Sequence, residues 1–162
     1  MILRKAAAIL ALFLASGLGV HAGETVGRAD KIKPGEWAVY RMGSDKVIER
    51  QTVISIEGEG DEAEMTFEAL SINNGKREVN EGSIPLYVLR QQAANSAANT
   101  VRKEKITVKG VEFTASVVVE KQEGEELTIY ESSDAPVFGV IKVMRKGSRT
   151  PVAELIDFGY AE

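Results

Sequence analysis

Carboxylates are the main chemically capable side chains in this chain: it has 24 acidic residues, one histidine and no cysteine. Two carboxyl groups held ~5–10 Å apart across a cleft can hydrolyse a glycoside. Here, however, Glu62, Glu64 and Glu68 alternate with Ala63, Met65, Phe67 and Ala69. That pattern describes the wet face of a strand more simply than a catalytic pair. The same acids would draw Ca²⁺ only weakly, because Gly58-Glu59-Gly60-Asp61-Glu62 lacks the ligand spacing of a calcium loop. Ser44-Asp45-Lys46 is the nearest local Ser–Lys cluster, and it sits in turn chemistry. There is no glycine-rich phosphate loop. The sequence therefore predicts no catalytic residue, no metal and no cofactor.

The histidine strengthens that reading by its position. Arg4 and Lys5 precede an apolar run from Ala6 to Leu14, small residues follow, and Val20-His21-Ala22 offers a signal-peptidase site. Charged start, apolar middle and small-residue exit make a secretory leader over residues 1–22. The run is shorter than the ~20 residues that span a bilayer. With no cysteine to carry a lipid, a bacterial lipoprotein is excluded. Cleavage after Ala22 leaves 140 of 162 residues and removes two of the 20 basic residues but no acidic one, so net charge moves from −4 to −6. His21 leaves too, and with it imidazole catalysis and imidazole metal sites. An acidic chain gains nothing from phosphates, so nucleic acid is not an expected partner. The expected location is periplasmic or extracellular, peripheral to a membrane at most.

The elements that must position any site are mostly strands. Residues 23–34 read as a lead-in arm, and 35–162 as a single domain. Glu36–Met42, Lys46–Glu57 and the alternating run from Ala63 read as strands, separated by Gly43-Ser44-Asp45 and Gly58-Glu59-Gly60-Asp61. Asn73-Asn74-Gly75 signals a hairpin returning through Lys76–Val79. Ile84–Asn99 predicts the only helix, with Ser83 as a possible cap and Leu86, Leu89, Ala93 and Ala97 on its inward face; Gln91, Gln92 and Asn95 fall outward. Strands resume at Lys105–Lys109, Val111–Glu120, Leu127–Tyr130, Val137–Arg145 and Val152–Tyr160. Trp37 and Tyr40, three apart, point to opposite faces. The predicted class is mainly β (α+β): one strongly curved antiparallel sheet of about eight strands wrapped around one helix, with a β-sandwich or closed barrel as the alternative.

Three segments together carry a resemblance: Gly35-Glu36-Trp37 with Tyr40; Ser133-Asp134-Ala135-Pro136 with Gly139 and Lys142; and Glu154-Leu155 with Gly159. They resemble an uncharacterised family of secreted bacterial β-rich proteins that opens on Gly-x-Trp-x-x-Tyr and closes with Ser-x-x-x-Pro-x-x-Gly-x-x-Lys. The chain departs from that pattern at Tyr130, where tryptophan is common, and at Ala135, where valine or leucine is usual. The resemblance implies no activity and no functional residues. The architecture is also similar to the periplasmic lipoprotein-carrier half-barrels, which implies an apolar cavity.

The functional expectation is a non-catalytic protein that binds or carries an apolar, lipid-like ligand. Leu86, Leu89, Ala93 and Ala97 would line its cavity, because alanines fill little volume. Lys142 would stand at the rim, its stem along apolar surface and its head wet. The alternative is a module that docks on another envelope protein.

Overall fold

A computed structural model describes residues 27–43 and 46–161. The leader of residues 1–22 and most of the Ser44-Asp45-Lys46 cluster lie outside them. The chain forms β1 (Trp37–Met42), β2 (Val47–Glu57), β3 (Glu64–Asn73), β4 (Lys76–Pro85), helix α1 (Leu86–Asn99), β5 (Thr100–Val108), β6 (Val111–Gln122), β7 (Glu125–Glu131), β8 (Val140–Arg145) and β9 (Ala153–Gly159). All nine strands join one antiparallel sheet in the order β4-β3-β2-β1-β9-β8-β7-β6-β5. The sheet is not closed, so neither a sandwich nor a closed barrel describes it. It is strongly rolled. Phe113 on β6 meets Phe158 on β9 with ring centroids 5.4 Å apart, although two strands lie between them, each ~4.8 Å wide.

Hairpins build both wings, and α1 carries the chain from one edge strand, β4, to the other, β5. Alternation explains most strands. On β1, Ala38, Tyr40 and Met42 are buried, while Arg41 is exposed and Trp37 half-exposed. Bulges reset the alternation: the β2–β3 register shifts between Val53 and Ser55, which leaves Ile54 exposed and returns Ile56 to the core side.

Several boundaries differ from the sequence expectation. β4 is ten residues long and takes Ile84 and Pro85, which were expected in the helix. Pairing with the whole of β3 outweighs the weak strand propensity of Asn80, Glu81 and Gly82. Ser83 therefore caps nothing. The N-terminal position is Pro85, and the Leu86 N–H is satisfied instead by the Ala63 carbonyl at 2.8 Å. At the other end, Asn99 and Thr100 side chains donate to the Asn95 and Ser96 carbonyls at 2.8 and 2.6 Å. β5 begins at Thr100 rather than Lys105: Arg102, Lys103 and Lys105 make it a charged edge. β8 begins at Val140, not Val137, because Val137 sits at φ +56°.

That φ is costly for a β-branched residue, and the surroundings hold it in place. Val137 is fully buried. Its N–H donates to Glu36 Oε2 at 3.3 Å, and its carbonyl accepts from Arg28 Nε at 3.3 Å. Arg28 and Glu36 form a buried ion pair with each other, and Arg28 also reaches the Ser133 carbonyl at 3.2 Å. Gly139 completes the turn. A Cβ there would lie 2.7 Å from the Ser132 carbonyl oxygen and 2.8 Å from Arg28 Cγ. Trp37 lies across Gly159, where a Cβ would run into the indole nitrogen. Segments far apart in the chain, around Glu36-Trp37, Ser133–Gly139 and Gly159, thus pack on one another. The arm is part of this assembly, since Arg28, Ala29 and Ile32 are buried.

Candidate functional site

A cleft of about 280 Å³ opens between α1 and the β5–β7 wing. Register sets its floor: Lys103 of β5 pairs with Ser116 of β6, and Ser116 with Glu131 of β7, so the three stand in a row on one face. Thr114 extends the row. The helix supplies Leu89, Gln92, Ala93, Ser96 and Ala97. The clamped loop adds Ser132, Ser133, Asp134, Phe138 and Gly139, and the arm adds Gly27 and Arg28. The strain at Val137 and the Arg28–Glu36 pair therefore shape one wall.

Glu131 is the most perturbed group here. Burial pushes its carboxyl up to about 7; the Ser96 hydroxyl favours the ionised form, and repulsion from Glu120 opposes it. Glu131 Oε1 is enclosed without a hydrogen-bond partner, and so is Gln92 Oε1. Two acceptors on cleft-lining residues are thus left to be satisfied. Arg28, at the loop wall, has its pKa lowered by burial, partly offset by Glu36.

A second polar group lies in the core, away from the cleft lining. Glu49 is buried at 1% exposure, beside Gln51, which donates to it at 2.8 Å. Register places Tyr40 and Ser71 on either side of Glu49. Tyr40 is buried, and its hydroxyl donates to the Val140 carbonyl at 2.8 Å. Burial raises Glu49 to about 7, with the Gln51 bond pulling the other way. The Tyr40 hydroxyl is raised by burial and by Glu49.

Of the residues picked from sequence as a cavity lining, Leu89, Ala93 and Ala97 line the cleft. Leu86 is buried in the hydrophobic core instead. Lys142 is on the other side of the sheet. It pairs with Tyr130, which precedes Glu131 and so points away from the cleft. The Lys142 ammonium lies 4.4 Å from the Tyr130 ring centroid, and Arg102 donates to the Tyr130 hydroxyl at 3.2 Å. Trp37 and Tyr40 do face opposite ways: Tyr40 is buried, and Trp37 carries Arg50 over its ring at 4.7 Å.

Two helix residues expected outward are not. Asn95 is buried, and Gln92 lines the cleft. The helix faces polar groups on β6 and β7, so its inner stripe runs Leu89, Gln92/Ala93, Ser96 at helical spacing rather than along alanines alone. Among the described residues no group of three or more acidic side chains is placed to hold a metal, and no helix is long and apolar enough to cross a membrane. Comparison with known proteins finds no matching family model, curated protein or solved structure.

Proposed function

We propose that this chain is an exported, non-catalytic binding protein whose cleft takes a small polar ligand carrying hydrogen-bond donors. The observation that carries this reading is the pair of enclosed, unpartnered oxygens on Glu131 and Gln92. A buried acceptor without a partner costs roughly 1–3 kcal/mol, and a side-chain rotation that turns either enclosed oxygen into the cleft would let a ligand amine, amide or hydroxyl recover that. Leu89, Ala93, Ala97 and Phe138 offer an apolar wall for the rest of the ligand. The lipid-like guest expected from sequence would use the same wall. The volume of about 280 Å³ sits at the lower end of small-molecule sites and favours a smaller, more polar guest. Export rests on the leader read in residues 1–22.

Native mass spectrometry against a panel of small amines, polyols, amides and fatty acids tests the reading. Polar donors should be retained by the wild type and by Lys142→Ala, and lost in Glu131→Leu and Gln92→Leu. Retention of fatty acids alone, or equal retention by all four proteins, would contradict it.

A further inference from the structure

We propose that the edge strand β4 is a self-association surface, on which a second copy of this chain adds its own β4 antiparallel about Val79. β4 ends the sheet, with Lys76, Arg77, Val79, Asn80 and Glu81 exposed, and Val79 58% so. Asn74 and Gly75 at φ +50° and +79° make a two-residue turn closing on the Asn73–Lys76 pair. In such a hairpin the pairs alternate, so residues 76, 78 and 80 bond back to β3. Arg77, Val79 and Glu81 then send their backbone N–H and carbonyl groups to the open edge. Such a row of unpaired groups is a template for another strand.

Charge selects the partner and the register. Arg77 and Glu81 form no ion pair with any described residue. Glu81 stands directly opposite Glu68 on β3, a like-charge pair that needs a cation nearby. Both side chains of a cross-strand pair must share a face, so a symmetric antiparallel dimer has few registers open to it. Centred on Val79, it sets Val79 against its own copy and Arg77 against Glu81 of the other chain, twice. Centred on Arg77, Glu78 or Glu81, it opposes like charges. Centred on Asn80, it forms no ion pair. The Val79 register alone places each arginine beside a carboxylate that lacks one. The other edge is less suited to a copy of itself, because Arg102 and Lys105 on β5 already pair with Glu104 and Glu112.

This surface is independent of the cleft. Sedimentation of the purified chain over a range of concentrations tests it. The wild type should show a reversible monomer–dimer equilibrium. Arg77→Glu or Glu81→Arg alone turns two attractions into two repulsions and should weaken the dimer roughly tenfold or more. The double exchange restores both pairs with reversed sign and should return most of the affinity. Val79→Pro removes an edge donor but no bond to β3, so it should keep the folded circular dichroism spectrum and abolish the dimer. A wild type monomeric at all concentrations would overturn the proposal. So would a double variant no tighter than the singles, or assembly beyond a dimer, which marks β4-to-β5 pairing instead.

Discussion

Glu49 makes the stability of this protein depend on pH in a direction opposite to the usual carboxylate. Its pKa rises on folding from 4.5 to about 7, chiefly through burial. The native state therefore binds the proton more tightly than the unfolded state. Native stability is fully present below about pH 4.5 and is lost as the pH climbs through 7. The shift of about 2.5 units, at ~1.36 kcal/mol per unit, amounts to on the order of 3 kcal/mol, most of it lost between pH 5 and 8. That is a large part of a typical stability of ~5–15 kcal/mol. Glu49→Gln imitates the protonated carboxyl and stays neutral throughout. Urea unfolding at pH 5 and pH 8 reads the effect, provided the slope with denaturant stays constant. Wild type should be weaker at pH 8. Glu49→Gln should be nearly neutral at pH 5 and more stable than wild type by ~2–3 kcal/mol at pH 8. Glu131, raised to about 7 in the cleft, supplies a second share of the same sign. Its Glu131→Gln variant should remove that share independently. A wild type with no decline toward pH 8, or a Glu49→Gln variant destabilised equally at both pH values, would refute the reasoning.

Other consequences follow from the clamp and the cleft. Glu36→Gln leaves the Arg28 guanidinium buried without its carboxylate and should cost ~3–5 kcal/mol in urea unfolding, since the two side chains are only 3% and 7% exposed. Gly139→Ala forces a Cβ to within 2.7 Å of the Ser132 carbonyl oxygen at a positive φ, so its melting temperature should fall and the cleft should lose its ligand. Ala93→Leu projects from a half-buried, cleft-lining position; it should change stability by under ~1 kcal/mol while blocking binding in a direct titration. An amine ligand should bind more tightly at pH 8 than at pH 6, because the Glu131 carboxyl ionises near 7, whereas a neutral polyol should show a smaller change of the same sign on calorimetry.

The fold was legible where local chemistry and tertiary context agree. Alternation named most strands, Asn74-Gly75 named a hairpin, and the helix among the described residues sits close to where helical spacing placed it. The misses have physical causes. Ile84 and Pro85 read as helix because nothing local shows that β3 is long enough to pair with them. Val137 read as strand because its type favours extended backbone, while the positive φ belongs to the turn closed by the Gly139 N–H on the Pro136 carbonyl and held by the distant Arg28 and Glu36. The cleft was half legible: Leu89, Ala93 and Ala97 could be found by helical period, but Glu131 and Ser116 could not be joined to them without the register. The buried polar group did leave a signal. Glu49 and Gln51 share the period-two face of Val47 and Val53, so two polar residues interrupt an otherwise apolar face. An acidic residue on a core-facing position of a central strand is a sharper clue than the many acids on wet faces.

The central claim, that the cleft binds through Glu131 and Gln92, is tested most directly by following the Gln92 side-chain amide and the Glu131 carboxyl by nuclear magnetic resonance. The titrant is a small amine or polyol retained in the mass-spectrometric panel. The account predicts saturable shifts at Gln92, Glu131, Ser96 and Ser116, and a fall in the Glu131 pKa from about 7 when the ligand is an amine. Shifts confined to the Tyr130–Lys142 face, with Gln92 and Glu131 unmoved, would contradict it.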